Sequence, residues 1–226
     1  MDYRVISIGA LDAHPLWDER APVRTGHATT TLVRAGDSTI LVDPGLPADV
    51  VSARLGERAN LAPEKVTHVF LTSFRPDVRR GLARFDHATW WIGEAERETV
   101  GVAMVAQLRG AENAGDTRLR AVLAAEIELL ERCEPAPDKL AEGVDLFPLP
   151  GVTPGLAGLL LPEGRHTTLI CGDAVPTWEH REQGVVPLWA ADTTQARESF
   201  MEAVEIADLL ALGRDNLVVN PTKRPF

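Results

Sequence analysis

Four loops rich in glycine, proline and aspartate punctuate this chain, and each of them directly follows a short apolar run. The loops read Asp43-Pro-Gly-Leu-Pro, Thr72-Ser-Phe-Arg-Pro-Asp, Pro150-Gly-Val-Thr-Pro-Gly and Gly172-Asp-Ala-Val. A short apolar run that stops at such turn residues is typical of a buried strand. Because rigid scaffolds carry their chemistry on loops at strand ends, we expect these four loops to meet and form the functional site.

The rest of the chain alternates between strand-like and helix-like segments. Strands are predicted at 5–8, 29–33, 39–42, 68–72, 89–92, 144–149, 158–161, 167–171 and 216–219. Helical periodicity is found at 47–55, 94–107, 117–133 and 193–212, with residues 110–115 as the loop between the second and third helix. This alternation predicts an α/β protein with a helical segment at about 94–134.

Composition and length favour one globular unit. The chain has 226 residues, of which 45% are apolar and 25% are charged, as in average globular proteins. No linker, tandem repeat or low-complexity block divides the sequence, so we expect a single domain over residues 1–226. A formal net charge of −10 argues against nucleic acid or an anionic membrane surface as the partner.

The sequence also predicts a cytoplasmic protein. It has neither a basic segment followed by an apolar stretch at its start nor a run of about 18 apolar residues anywhere. The two cysteines, Cys133 and Cys171, lie far apart in apolar runs, which favours two buried thiols over a disulfide.

In order and spacing, the four loops resemble the motifs of the metallo-β-lactamase superfamily. The run Leu41-Val-Asp-Pro-Gly is similar to the first signature of that family, and Ile170-Cys-Gly-Asp is similar to its later Gly-Asp loop. Leu149-Pro-Gly-Val-Thr-Pro-Gly resembles the loop that normally reads Thr-Pro-Gly-His-Thr-Pro-Gly. The likeness covers essentially the whole chain. It implies a four-layer αββα sandwich of the α/β (α+β) class, with two mixed sheets face to face and helices outside.

The decisive segment of this resemblance has lost its histidines. Leu71-Thr-Ser-Phe-Arg-Pro-Asp-Val-Arg-Arg-Gly-Leu stands where the family has Leu-Thr-His-x-His-x-Asp-His-x-Gly-Gly-Leu, and the family holds two zinc ions with five histidines and two aspartates. The resemblance places the former ligand positions at Ser73, Arg75, Asp77, Val78, Val152, Asp173 and Thr222. Only Asp77 and Asp173 keep a side chain of the original ligand set.

Two carboxylates alone do not make a catalytic zinc site, which needs about three protein donors beside an open position. Valine has no lone pair, arginine adds a fixed positive charge, and hydroxyl groups are poor zinc ligands. We therefore expect no metal or other cofactor. A single hard ion such as magnesium or calcium on Asp77, Asp173 and water stays open as an alternative.

His180 is the one histidine with a candidate role. The six histidines form no His-x-His or His-x-x-x-His pair. His180 follows the Gly-Asp loop, which by resemblance runs along the mouth of the family's cleft, so it is a candidate general acid or base. Trp178 and Trp189 flank this segment and could wall a pocket or form a subunit contact.

The loss of the cation predicts a substitute. In one cavity, Asp77 and Asp173 would repel each other, and Arg75 lies two residues before Asp77. We predict that Arg75 turns into the cavity and hydrogen-bonds to one or both carboxylates, while Val78 and Val152 fill the remaining volume. The alternative is an Arg75 side chain in solvent.

Two functions from different classes remain, and the sequence leaves open whether the chain is an enzyme. One is a non-hydrolytic binding, regulatory or structural protein, whose partner is an unidentified small molecule or protein, with a homodimer also open. The other is a hydrolase with an atypical or metal-free site, in which Asp77, Asp173 and His180 are the candidate catalytic residues.

Overall fold

The computed structural model describes residues 1–222 and contains two six-stranded sheets. The first sheet has the order β1 (Asp2–Ser7), β2 (Thr30–Ala35), β3 (Ser38–Val42), β4 (His68–Leu71), β5 (Thr89–Ile92) and β6 (Glu134–Pro135). The second has the order β12 (Leu217–Val219), β11 (Leu209–Leu212), β10 (His166–Gly172), β9 (Ala157–Glu163), β8 (Val144–Pro148) and β7 (Lys139–Ala141). Both sheets are mixed, because parallel pairs such as β3–β4 and β10–β11 lie beside antiparallel hairpins.

In residues 1–222, five α-helices lie on the outer sides of the sheets. They are α1 (Ala48–Ala59), α2 (Glu94–Ala114), α3 (Thr117–Glu131), α4 (Trp178–Gln183) and α5 (Thr193–Ile206). Val51 of α1 and Leu130 of α3 pack on the first sheet, and Phe200 of α5 packs on the second. Phe70 and Leu159 belong to a third apolar cluster between the sheets. The result is the expected four-layer αββα sandwich, in which helices lie outside and sheets face each other.

Two element boundaries differ from the sequence-based prediction. The helix predicted at 193–212 ends at Ile206, and Leu209–Leu212 forms β11, a strand between β10 and β12. Leucine and alanine favour helices, but burial between two neighbouring strands outweighs that propensity. The predicted loop at 110–115 is also shorter, because α2 continues to Ala114 and the chain reverses at Gly115, whose φ is +68°.

The described helices include none with the length and apolar character needed to cross a lipid bilayer.

Candidate functional site

The loops after β4 and β10 meet at one edge of the sandwich. Ala157 of the second sheet donates its N–H to the carbonyl of Thr72, at 3.1 Å, and so joins the two sheets. Gly172 has a φ of +53°, and a Cβ there would lie 2.7 Å from Thr72 Oγ1. Only glycine permits both the backbone conformation and this close approach. The loop that carries Asp77 is thereby held against the loop that carries Asp173.

Asp43 supports this junction from the end of β3. Its carboxylate accepts hydrogen bonds from Thr72 N at 2.8 Å and from Thr72 Oγ1 at 2.7 Å, and its own backbone is in the left-handed region. Burial raises the pKa of Asp43 to about 7 in spite of these hydrogen bonds. This carboxyl group therefore titrates near neutral pH.

Glu96 of α2 fixes two further loops. It is 1% exposed, and it accepts hydrogen bonds from Phe74 N at 3.0 Å, Thr153 Oγ1 at 2.7 Å and Gly155 N at 3.1 Å. One buried carboxylate thus satisfies three donors on the loops that follow β4 and β8.

Arg214 lies at the centre of the site. Its Nε and Nη2 are each 2.7 Å from one carboxylate oxygen of Asp173, and its Nη1 is 2.5 Å from Asp77 Oδ2. Arg214 and Asp173 are 3% and 2% exposed. Burial would lower the pKa of Arg214, but Asp173 and Asp77 outweigh it and raise that pKa. For Asp77, burial alone would raise the pKa, but Arg214 and Arg75 hold it below the ordinary value.

Arg75 lies beside this cluster rather than at its centre. Its Nε is 3.4 Å from Asp77 Oδ1 and 3.7 Å from Asp173 Oδ2, and 35% of its side chain is exposed. The predicted hydrogen bond from Arg75 to one of the two carboxylates is present, but the main counter-charge is Arg214, which the sequence did not point to. Val78 and Val152 are both buried.

Thr222 does not join the residues around Arg214, although the sequence analysis assigned it to a ligand position. Its hydroxyl donates to Asn220 Oδ1 at 2.7 Å and accepts from Arg181 at 3.3 Å.

Arg214 follows β11, the parallel neighbour of the strand that ends before Asp173, and the two residues therefore emerge at one sheet edge. Ser73 is fully buried, and its Oγ has no hydrogen-bond partner among residues 1–222.

His180 belongs to a second polar cluster, next to Arg214. Its Nδ1 is 2.9 Å from Thr177 Oγ1, and the same hydroxyl is 3.1 Å from His14 Nε2. His14 Nε2 is also 3.2 Å from Glu179 Oε2, and the His14 ring stacks on Trp17 with centroids 4.2 Å apart. His14 and His180 are buried, so this network joins the N-terminal loop to α4.

The buried position of His180 suppresses its charge. Burial lowers its pKa to about 4, with the neighbouring His14 as the second cause. The imidazole is therefore neutral at physiological pH. Its hydrogen bond goes to Thr177 rather than to Asp77 or Asp173, so the three candidate catalytic residues do not form one constellation.

Two small cavities open on either side of Arg214 and share Leu11 as a wall. One is about 200 Å³, and it is lined by Arg75, Arg80, Asp77 and Trp189. The other is about 190 Å³, and its lining includes His14, Trp17 and Thr177. The space in front of the cluster is therefore accessible but small.

The donor set does not fit the zinc pair of the family that the sequence resembles. Asp77 and Asp173 are paired with a guanidinium group, which cannot lose its proton at ordinary pH and would repel a cation. The described part of the chain offers no group of three or more His, Cys, Asp and Glu side chains arranged to hold a metal ion.

Sequence reasoning missed Arg214 because the helix predicted at 193–212 concealed β11. The signal that could have found it is Gly213-Arg214-Asp215 directly after the apolar run Leu209–Leu212, the same pattern as Gly172-Asp173 after β10. His14 had no comparable signal, because the hydrogen-bond partners of its ring lie more than 160 positions away in the sequence.

Comparison with known proteins agrees with this architecture. The family model described as the metallo-beta-lactamase superfamily matches residues 23–212. No curated protein sequence matches the chain. Among solved structures, a Thermotoga maritima protein assigned to the metallo-beta-lactamases is 18% identical, with a TM-score of 0.67 and coverage of 96% of this chain and 98% of that one.

Two further solved structures are also similar. AidC, a dizinc quorum-quenching lactonase, is 18% identical, with a TM-score of 0.61 and coverage of 79% of this chain and 67% of that chain. AiiA of B. thuringiensis, with N-decanoyl-L-homoserine at its active site, is 17% identical, with a TM-score of 0.62 and coverage of 90% and 86%. At these identities the structural likeness concerns the fold, whereas the family model spans most of the chain. The chain belongs to the metallo-beta-lactamase superfamily.

Proposed function

We propose that this chain is a non-hydrolytic member of its superfamily, in which an internal arginine replaces the metal centre and the remaining cavity serves a binding role. The observation that carries the proposal is the ion pairing of Arg214 with both Asp173 and Asp77. These are the two positions that keep a side chain of the family's ligand set.

The chemistry of the pairing supports this proposal. A metal hydrolase uses its cation to create a strong nucleophile from water at neutral pH and to polarise the bond that breaks. A guanidinium group supplies positive charge and hydrogen bonds, but it has no open coordination position. A metal ion at Asp173 would have to displace a buried arginine that makes two hydrogen bonds of 2.7 Å.

The metal-free hydrolase is the weaker candidate. It requires a general base near the carboxylates, but His180 is 1% exposed and hydrogen-bonded to Thr177. A base must come within hydrogen-bond distance of the proton that it removes. The enclosed His180 imidazole holds the N-terminal loop against α4 through Thr177. It cannot reach a substrate in front of Arg214.

Metal content and thermal stability test the proposal together. Protein purified without metal-affinity steps is expected to contain no stoichiometric zinc, and its melting temperature is expected not to change with zinc or with a chelator. Hydrolysis of a β-lactam, a homoserine lactone and a thioester should remain at the level of the buffer.

Arg214→His is the matched control, because it places an imidazole beside the two carboxylates and thereby completes a set of three donors. We expect this variant to take up zinc under conditions in which the wild-type protein does not. About one zinc per wild-type chain, with a melting temperature that falls on chelation, would contradict the proposal.

A further inference from the structure

The cavity in front of Arg214 presents hydrogen-bond donors that have no acceptor. Arg75 uses only Nε on the two carboxylates, and its terminal nitrogens donate to no group in residues 1–222. Arg80 donates from Nη2 to the Gly26 carbonyl at 3.2 Å, and its other nitrogens have no partner in the same part of the chain. Both side chains line the cavity of about 200 Å³.

The Trp189 ring lines the same cavity. Its Nε1 is shielded from solvent and has no hydrogen-bond partner within the described chain. The Arg75 guanidinium lies over the Trp189 ring, 5.7 Å from its centroid. Since this N–H is shielded from solvent, the accessible donors of the cavity are those of the arginines.

Most carboxylate oxygens of this region are already engaged. Asp173 and Asp77 receive hydrogen bonds from Arg214, and Asp12 Oδ1 accepts from the Ala13 N–H at 2.7 Å. Asp12 Oδ2 accepts from no group in residues 1–222, but the unpaired N–H groups of Arg75 and Arg80 outnumber this one free oxygen. An oxyanion is the ligand that such a surface complements, because charged donors bind it about twice as strongly as neutral ones do.

We propose that this cavity binds a small oxyanion, with Arg75 and Arg80 as its charged donors and the Trp189 ring as part of its wall. The volume of about 200 Å³ limits the ligand to inorganic phosphate or a short organic acid. Leu11 and the Trp189 ring provide an apolar wall for the stem of such an acid. The inference rests on the proposed function, since it needs Arg214 rather than a metal at the back of the cavity.

Titration followed by ¹⁵N–¹H NMR of the indole groups tests this site directly. The probes are butyrate, the neutral butyramide as its matched control, and inorganic phosphate. The Trp189 indole signal is identified as the one that disappears in Trp189→Phe. We expect butyrate or phosphate to shift this signal and to raise the melting temperature, whereas butyramide does neither.

Arginine variants locate the charged donors. Arg75→Gln and Arg80→Gln should each weaken binding about tenfold, which corresponds to the loss of one charge-assisted hydrogen bond. Both side chains reach solvent, so the variants should fold, and unchanged circular dichroism verifies this. Arg118→Gln, an exposed position on α3, removes the same charge elsewhere and should leave affinity unchanged.

The outcomes separate the two proposals. A shift with butyrate alone identifies an organic acid, and a shift with phosphate alone identifies the free anion. A metal-free protein whose Trp189 signal ignores both oxyanions, or responds equally to butyramide, overturns the oxyanion site and leaves the proposed function intact. Stoichiometric zinc in the wild-type protein overturns the proposed function itself.

Discussion

Arg214 and Asp173 form a bidentate ion pair, in which Nε and Nη2 of the arginine are each 2.7 Å from one oxygen of the carboxylate. Both side chains are almost completely buried, at 1% and 2% exposure. Parallel N–H to oxygen bonds of this kind fix orientation as well as charge. The pair therefore fixes both the position and the orientation of the Arg214 guanidinium.

Removal of the Arg214 side chain should strongly lower the free energy of unfolding. Arg214→Met leaves the buried Asp173 without its hydrogen-bonded partner and with only Arg75, 3.7 Å away, as counter-charge, so we expect the free energy of unfolding at pH 7 to fall by about 3–5 kcal/mol. In the double variant with Asp173→Asn, the loss should be clearly smaller than the sum of the two single losses, because the stranded charge is gone. Urea denaturation measures both quantities.

The control for this experiment is Arg118→Met on the exposed surface of α3, which should change stability by less than about 0.5 kcal/mol. An Arg214→Met midpoint equal to that of the wild-type protein would contradict the buried pairing.

Arg75→Ala should have a much smaller effect. Its Nε lies 3.4 Å and 3.7 Å from the two carboxylates, and about a third of the side chain is exposed to solvent. An ion pair of this kind contributes less than about 1 kcal/mol, and its contribution declines as salt is added. Urea denaturation at low and high salt checks this expectation. A loss as large as that of Arg214→Met would show that Arg75 is the essential counter-charge.

The lowered pKa of His180 predicts that the folded protein loses stability in acid. Its pKa in the folded protein is about 4, below the ordinary value of 6.5, because the neutral ring is buried. The unfolded chain therefore binds a proton at a higher pH than the folded one, and stability falls as the pH drops from 6.5 towards 4. His180→Gln should reduce this slope in a series of denaturation curves. An unchanged slope would show that His180 is not the cause of the acid sensitivity.

The raised pKa of Asp43 predicts the opposite pH dependence, a loss of stability as the pH rises. Its folded pKa is raised to about 7 from 3.8, so its contribution to stability is complete below 3.8 and is lost as the pH rises through 7. Asp43→Asn keeps an acceptor for the Thr72 N–H and carries no charge. The free energy of unfolding of this variant, minus that of the wild-type protein, should therefore be larger at about pH 8 than at about pH 5. A difference that is constant over this range would show that Asp43 does not titrate there.

The fold was predictable from the sequence to a large extent, because the loops that carry Asp43, Asp77 and Asp173 follow apolar strands and match a known order of motifs. The centre of the site was not. Arg214 was hidden by a strand of helix-forming residues, Leu209–Leu212, whose conformation is decided by its neighbours in the sheet. Arg75 looked like the substitute cation because it is near Asp77 in sequence, but Arg214 reaches both carboxylates from 137 and 41 positions away.

The position of Arg214 has a consequence for assembly of the sandwich. Asp77 follows a strand of the first sheet, whereas Asp173 and Arg214 follow strands of the second, so the cluster ties the two halves together. Arg214 is a covalent part of the chain, so neither dilution nor a chelator can remove this positive charge. The ion pairs between the two halves need no added metal ion. The yield of refolded protein should therefore be the same with and without a chelator.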